Sequence, residues 1–441
     1  MMEMEKISTG KKLVLGLQHV LAMFGATVLV PMLTGLNPGI AILAAGIGTL
    51  MFHLVTKGVV PVFLGSSFAF ISAISLVLSQ YGIGVVKTGI IATGLVYVMM
   101  AGVIKLAGVE KVKSFFPPIV VGPMIMVIGL RLSPTAINML RVDGTDANLL
   151  ANLPAGIPAD LPIEVIRSMS ITLPLDFSKV LVALLVVSVV IAISIWARGF
   201  FKMIPILIAV VLGYVVCLAM GMVDTQPIIE ASWLGLSDAA MKDLTTLPVF
   251  NADALVGILA IAPIALVVFI EHIGDITTNG AVVGKDFFKD PGVHRTLLGD
   301  GLATIVAALL GGPANTTYGE NTGVLAVTKV YDPKIIRIAA CFAIGLSLCG
   351  KFTAIVQTIP GAVMGGISII LFGMIAAVGV RTVVEEQLDF KHSRNLLIAA
   401  VIFVVGIGVS DVPIWGTITI SGLAVAALLG VILNKLLPQD L

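Results

Sequence analysis

The chain has 441 residues, 58% of them hydrophobic and only 12% charged, about half the charged share of an ordinary soluble domain. Lys+Arg at 26 and Asp+Glu at 25 leave a net charge of +1, so there is no basic surplus for a phosphate backbone. That balance excludes a soluble enzyme, a nucleic-acid binder and a disordered scaffold. The 46 glycines suit helices that pack closely in lipid. Cys217, Cys341 and Cys349 all lie in apolar runs. They read as small core residues rather than as a disulfide framework.

A bilayer core needs about 20 apolar residues per helix. In chain order the apolar runs predict fourteen spans, at about 13–33, 39–56, 62–79, 88–107, 115–133, 177–196, 203–223, 252–273, 297–311, 314–328, 334–351, 358–379, 395–410 and 414–436. The third and tenth are poor helices. One contains Pro61, Gly65, Ser66 and Ser67 at its start; the other opens Gly311-Gly312-Pro313-Ala314-Asn315-Thr316-Thr317-Tyr318-Gly319-Glu320-Asn321. Gly, Pro, Asn and Thr at that density disfavour a continuous helix. With the N-terminus placed inside, most Lys and Arg residues fall on the cytoplasmic side, Lys6 and Lys113 among them. Only Lys87, Arg131, Arg141, Arg167, Lys179, Lys242 and Lys351 fall outside, as the positive-inside rule requires. Two longer polar stretches, about 134–176 and 224–251, carry Asp143, Asp146, Asp160, Glu164, Asp224, Glu230 and Asp238 and read as solvated outer loops.

The two poor spans lie seven apart. Spans 5 and 12 also match, with Pro117, Gly122 and Gly129 in one and Pro360, Gly365 and Gly373 in the other. A repeat of seven spans puts the two halves in opposite topology. A pair of Gly/Pro-interrupted segments at corresponding positions of inverted halves is the sequence pointer to a transporter's binding site.

Few ionisable groups fall inside spans. Glu271 lies near the end of span 8 and Glu320 in interrupted span 10; His19 follows Gln18 in span 1. A carboxylate at membrane depth costs about 2.5–3.5 kcal/mol and is functional by default. Asp275 and Asp300 are read as either functional or reaching the cytoplasmic interface, and His19 as either a ligand contact or a packing histidine. Neither a metal-ligand cluster nor a nucleotide-binding Walker loop appears. No metal and no cofactor is therefore expected, and an ion gradient is the expected drive. Ser66, Ser67 and Asn321 are good N-cap types, so half-helices are expected to start there with free N–H groups aimed at the bilayer centre. Those donors, with carboxylates as acceptors, suit a flat ring bearing alternating C=O and N–H groups, such as a pyrimidine or purine dione. Phe68 and Tyr318 are placed to pack on its face.

At these residues the sequence resembles the nucleobase–ascorbate transporter (nucleobase:cation symporter-2) family, and within it the bacterial uracil permeases. The segment Glu320-Asn321-Thr322-Gly323-Val324-Leu325-Ala326-Val327-Thr328-Lys329 matches the family signature, and Gln18-His19 and Gly65-Ser66-Ser67-Phe68-Ala69-Phe70 match as well. The resemblance implies an all-α polytopic membrane protein of 14 transmembrane segments in two inverted seven-span repeats, with short strands in spans 3 and 10. It implies a core domain built from residues 1–114 and 252–352, and a gate domain from residues 115–251 and 353–441. Carried over by motif, Glu271 and Glu320 would hold the nucleobase with the backbone N–H groups of Phe68 and Gly319. Tyr318 would line the site, and His19, Ser67 and Asn321 would support it. Proton coupling falls to Glu271 and Asp275; the position of Asp275 can be His in the uracil permeases and is Asp in many other members. The implied activity is proton-coupled import of uracil, with no enzymatic step, across a bacterial plasma (inner) membrane. Both termini would be cytoplasmic, and the gate domains would form a homodimer. The alternative is a xanthine or urate permease of the same fold; such members commonly have Gln where Glu320 stands, so the Glu favours uracil. Of the two acids, Glu271, flanked by Ile270 and Ile273, is expected to carry the proton, and Glu320 to anchor the ligand. Gly319 is expected to adopt positive φ or to let the ligand approach the chain closely.

Overall fold

A computed structural model describes residues 8–108, 110–111, 114–153, 166, 171–409, 411–415 and 418–438. Lys6, Lys113, Asp160, Glu164 and Arg167 of the charge assignment lie outside them. The architecture is helical throughout, interrupted by two small antiparallel ribbons. The first half runs α1 (Thr9–Thr34), α2 (Pro38–Val55), β1 (Leu64–Ser66), α3 (Ile71–Tyr81, led in by a 3-10 turn at Phe68–Phe70), α4 (Ile83–Ala107), α5 (Pro118–Asn138), α6 (Phe177–Trp196) and α7 (Pro205–Ala219). The second runs α8 (Ala252–Val283), α9 (Val293–Leu310), β2 (Asn315–Thr317), α10 (Gly319–Thr328), α11 (Pro333–Ser347), α12 (Gly361–Glu385), α13 (Ser393–Gly408), β3 (Asp411–Trp415), β4 (Ile418–Ser421) and α14 (Gly422–Leu436). By length and apolarity alone, eight of the described helices can cross a bilayer: α1, α2, α4, α5, α6, α8, α9 with the turn before it, and α12. This is a multi-pass membrane protein.

Local sequence sets the helix ends. Asn37 caps α2 by accepting from the N–H groups of Gly39 and Ile40, with Pro38 as the first helical residue. Asp176 caps α6 in the same way, through Ser178 and Lys179. Such side-chain acceptors satisfy N–H groups that have no intrahelical partner. Gly35 at φ 85° and Gly311 at φ 92° stop α1 and α9, in the left-handed conformation that glycine adopts without strain.

The strongest helix–helix packings are α5 with α12, α4 with α9, α2 with α9, α2 with α11, α13 with α14, α4 with α8, α1 with α11, α6 with α12, α6 with α7, and α5 with α13. Shifting every label by seven maps this set onto itself: α4–α9 becomes α11–α2, α4–α8 becomes α11–α1, and α6–α7 becomes α13–α14. Each pair also stays within one of two groups, α1–α4 with α8–α11, or α5–α7 with α12–α14. Further contacts join the groups through α1, which meets α7 and α12, and through α8, which meets α14 and α5. Those four contacts exchange under the same shift. Small residues permit the tightest crossings. A Cβ on Gly94 of α4 would lie 2.7 Å from the Gly301 carbonyl of α9, and one on Gly379 of α12 would lie 2.6 Å from the Gly122 carbonyl of α5.

Several expectations change. The apolar run predicts an end to span 8 at 273, but α8, which includes a 3-10 turn at Ala262–Ile264, continues to Val283. Its polar last third holds because Thr277 and Thr278 bond back to the carbonyls of Ile273 and Gly274, while Asp275 and Asn279 find partners in neighbouring elements. Span 11 ends at Ser347 and bends by 83° into a short helix, Gly350–Gln357, where a Cβ on Gly350 would strike the Ser232 backbone. Span 14 does not start at 414. The β-branched stretches Asp411–Trp415 and Ile418–Ser421 pair as β3 and β4 instead, and the helix begins at Gly422. The third glycine of the span 5 and 12 match has no counterpart: a Cβ on Gly129 would lie 2.6 Å from the Ala376 backbone nitrogen, whereas one on Gly373 would meet nothing within 4 Å. All three cysteines are free; Cys217 is buried, but Cys341 is exposed and Cys349 half-buried.

Candidate functional site

The two interrupted segments meet as an antiparallel ribbon, Leu64 opposite Thr317, Gly65 opposite Thr316 and Ser66 opposite Asn315. It is extended by Ser67 N–H to the Ala314 carbonyl (2.9 Å) and Tyr318 N–H to the Phe63 carbonyl (3.0 Å). All six strand residues are buried, so every backbone group needs a partner. Flanking helices supply the rest. Thr49 of α2 accepts from Leu64 N–H (2.9 Å), Thr304 of α9 donates to the Asn315 carbonyl (3.2 Å), and Asn315 Nδ2 donates to the Ala44 carbonyl (3.1 Å). The ribbon is thus anchored in α2 and α9.

Two helix starts leave the ribbon at opposite ends. Neither carries a side-chain cap: Ser67 precedes the Phe68–Phe70 turn, and Tyr318 precedes α10. This corrects the N-cap expectation. The Ser67 hydroxyl is buried without a hydrogen-bond partner among the described residues. Asn321 sits inside the first turn of α10, where its Nδ2 donates to His19 Nδ1 (3.1 Å) and to the His19 carbonyl (3.0 Å). His19 and Asn321 therefore lock α10 to α1. The first N–H groups of each half-helix, at Phe68 and Gly319, have no carbonyl within their own helix. Gly319 does not take positive φ, contrary to that part of the expectation. A Cβ there would find open space, with Asp275 Oδ1 nearest at 3.8 Å.

The long α8 presents a polar face to this end of the ribbon. Glu271, Asp275 and Asn279 are spaced four apart and share one side of the helix. Asp275 Oδ2 accepts from Thr317 Oγ1 at 2.7 Å, and Asn279 Nδ2 donates to Thr322 Oγ1 of α10 at 3.1 Å. Asp275, Glu320 and Asp300 are the carboxyl groups near enough to Glu271 to act on it electrostatically. Asp275, Glu320 and Gly319 thus gather with Glu271 at the start of α10. Phe68 stands at the other half-helix, half-buried and edge-to-face with Phe372 of α12 at 6.0 Å. Tyr318 is buried between the ribbon and α1. Its ring covers Gly65, its hydroxyl donates to the Ser66 carbonyl (3.0 Å), and Thr27 of α1 donates to it (3.3 Å).

Two residues gain a place that sequence reasoning did not give them. His272 is wholly buried between Asp300 and Thr296 of α9, with Nδ1 2.8 Å from Asp300 Oδ2 and Nε2 2.9 Å from Thr296 Oγ1. The Thr296 hydroxyl already donates to the Val293 carbonyl, so Nε2 is the donor in that contact. Asp300 is 1% exposed and does not reach an interface. The spacing Glu271-His272-x-x-Asp275 carried the signal: neighbouring polar residues inside one apolar helix must face two different partners. Asn279 lies beyond the apolar run that marks span 8, among Thr277 and Thr278, and so carries no signal of a buried helix.

Paired half-helices, uncapped at a buried ribbon and faced by membrane-embedded carboxylates, have the form of a membrane transporter's binding site. A family model described as "Permease family" matches residues 10–415, and the chain belongs to that family, the nucleobase–ascorbate transporters. It is 42% identical over 427 residues to a uracil permease of Bacillus subtilis (strain 168), covering 96% of this chain and 92% of that protein. It is 40% identical over 417 residues to a uracil permease of Escherichia coli (strain K12), covering 95% and 89%. Among solved structures, the transmembrane domain of the cyanobacterium bicarbonate transporter BicA aligns with a TM-score of 0.63 at 17% identity, covering 95% and 96%. The murine anion transporter Slc26a9 in its inward-facing state aligns at 0.65 and 12%, covering 98% and 68%. These two share the fold alone.

Proposed function

We propose that the protein imports uracil together with protons across a bacterial plasma membrane, with both termini cytoplasmic. The observation that carries this reading is the gathering of Glu271, Asp275 and Glu320 at the uncapped start of α10, in a chain 40–42% identical to named uracil permeases. Uracil's ring N–H groups would donate to Glu271 and Glu320, and its carbonyl oxygens would accept from the N–H groups of Phe68 and Gly319. Phe68 would close one face of the ring. Among the described residues no lysine or arginine forms an ion pair with these carboxylates, which supports bound protons as the balance of the cluster's charge. That is the requirement for coupling. Glu271 would carry the transported proton, with Asp275 beside it, and Glu320 would anchor the base. The group α1–α4 with α8–α11 would serve as the core domain and α5–α7 with α12–α14 as the gate, the core moving against the gate along the seams of α1 and α8. The gate domains would also form the homodimer contact.

Proteoliposome uptake tests the scheme. Labelled uracil should accumulate above its outside concentration under an inward proton gradient, and excess unlabelled uracil should block it. Block by xanthine but not by uracil would make the protein a purine permease. Glu320→Gln replaces an acceptor by a donor and should weaken binding about tenfold or more. Glu271→Gln should lose gradient-driven accumulation while keeping exchange of internal for external uracil. The opposite pattern would reverse the two roles, and normal accumulation by both variants would refute the site.

A further inference from the structure

A groove of about 470 Å³ opens between the start of α1 and the start of α11, lined by Leu13, Lys334, Arg337, Ile338, Cys341 and Phe342. A single water needs only about 10–15 Å³ of such space. The floor is apolar and faces outward: Leu13 is 45% exposed and Cys341 is exposed. The rim carries two cations, and neither Lys334 nor Arg337 makes a side-chain hydrogen bond or ion pair among the described residues. The nearby acid is already engaged. Asp332 accepts from Lys12 Nζ at 2.7 Å and from the Lys334 backbone N–H at 3.0 Å. Arg337 lies against Gly58, in the turn after α2. An apolar trough along two transmembrane helices, ending in an unpaired Lys–Arg rim, matches a molecule with one anionic head and an acyl tail.

We propose that this groove binds one anionic phospholipid, its phosphate on Lys334 and Arg337 and an acyl chain along Ile338, Cys341 and Phe342. That the lipid belongs to the cytoplasmic leaflet rests on the orientation given above; the binding itself does not. Charge complementarity selects this occupant over a zwitterionic lipid, which would bring no net charge to two unpaired cations. The lipid would bridge α1, which holds α10 through His19 and Asn321, to α11, which packs on α1 and α2.

The exposed cysteine makes the test direct. In a Cys349→Ser background, a bimane fluorophore is attached to Cys341 of the full chain in phosphatidylcholine nanodiscs, and brominated lipids are added as quenchers. Brominated phosphatidylglycerol should quench saturably, at a mole fraction about tenfold below that needed for brominated phosphatidylcholine. Lys334→Gln with Arg337→Gln should abolish that preference, and Lys334→Arg with Arg337→Lys should keep it. The uracil-induced thermal shift of the double Gln variant should match the parent and so verify its folding. Equal quenching by the two lipids, or a preference that survives both Gln substitutions, would overturn the proposal. So would full reversal by millimolar inorganic phosphate, which would mean a free-phosphate site. Quenching that appears only after removal of residues 1–7 would assign the groove to that segment, through Glu3 or Glu5, and not to lipid. A uracil permease without the lipid preference, or the preference without uracil transport, separates this proposal from the transport reading.

Discussion

The two interrupted spans use one backbone device for two kinds of surface. Each consists of a three-residue strand followed by a helix that starts without a side-chain cap. After β1 the chain reads Phe68-Ala69-Phe70, and the first ring packs edge-on against Phe372 of the opposite helix group. After β2 it reads Gly319-Glu320-Asn321, and the neighbours are the Asp275 carboxylate and the His19 ring. The shared device supplies two helix N-termini, whose free N–H groups attract electron-rich atoms whatever the side chains are. Divergence of side chains then makes one end apolar and the other ionisable. The glycines diverge as well. Gly65 is a packing glycine beneath a ring, whereas Gly319 stands at an open position.

That last contrast gives the sharpest way to break the comparison. A Cβ on Gly65 would lie within 2.7 Å of the Tyr318 hydroxyl and overlap its ring. Gly65→Val should therefore destabilise the protein by about 3 kcal/mol, as overpacking does, and lower its yield and melting temperature. Gly319→Val should leave the melting temperature near the parent's and abolish the thermal shift with uracil. A Gly319 variant that misfolds, or that still binds, would remove the distinction. Next in size is Asn321→Ala, which leaves the buried His19 Nδ1 and carbonyl without their donor. It should cost about 1–3 kcal/mol, and a double-mutant cycle with His19→Asn should show strong coupling. Tyr318→Phe removes only the hydroxyl that ties β1 to α1. About 1 kcal/mol should be lost, with uracil affinity little changed. A large loss of affinity would return Tyr318 to the lining of the site.

The smallest effect lies far from the ribbon. Partial burial works against ionisation of Asp332, but hydrogen bonds from Lys12 and the Lys334 N–H, with both charges, hold its carboxyl below the ordinary value. A carboxyl shifted down in the folded state stabilises at neutral pH, and loses that contribution as pH falls below the usual value of about 3.9. The Lys12–Asp332 pair should supply under about 1 kcal/mol. Asp332→Asn should lower the melting temperature slightly at pH 7, and the difference from the parent should vanish in acid.

Sequence by itself determined the membrane class, the interrupted segments and the ionisable residues within them. The reason is that lipid makes composition decisive: apolar runs, Gly/Pro breaks and stray carboxylates are each too costly to occur by default. Span ends were less legible. α8 was drawn ten residues short because Thr277, Thr278 and Asn279 look like a loop until their hydroxyl and amide partners are known. The β3–β4 hairpin reads as helix in the sequence because apolar β-branched runs carry no periodicity that separates the two. Only the tertiary structure decided which way side chains point. It turned Tyr318 onto Gly65, bound Asn321 to a helix 302 residues away, and paired His272 with Asp300. A hydrogen bond between distant segments depends on the relative placement of whole helices, and that placement comes from packing spread over the entire chain rather than from any local pattern.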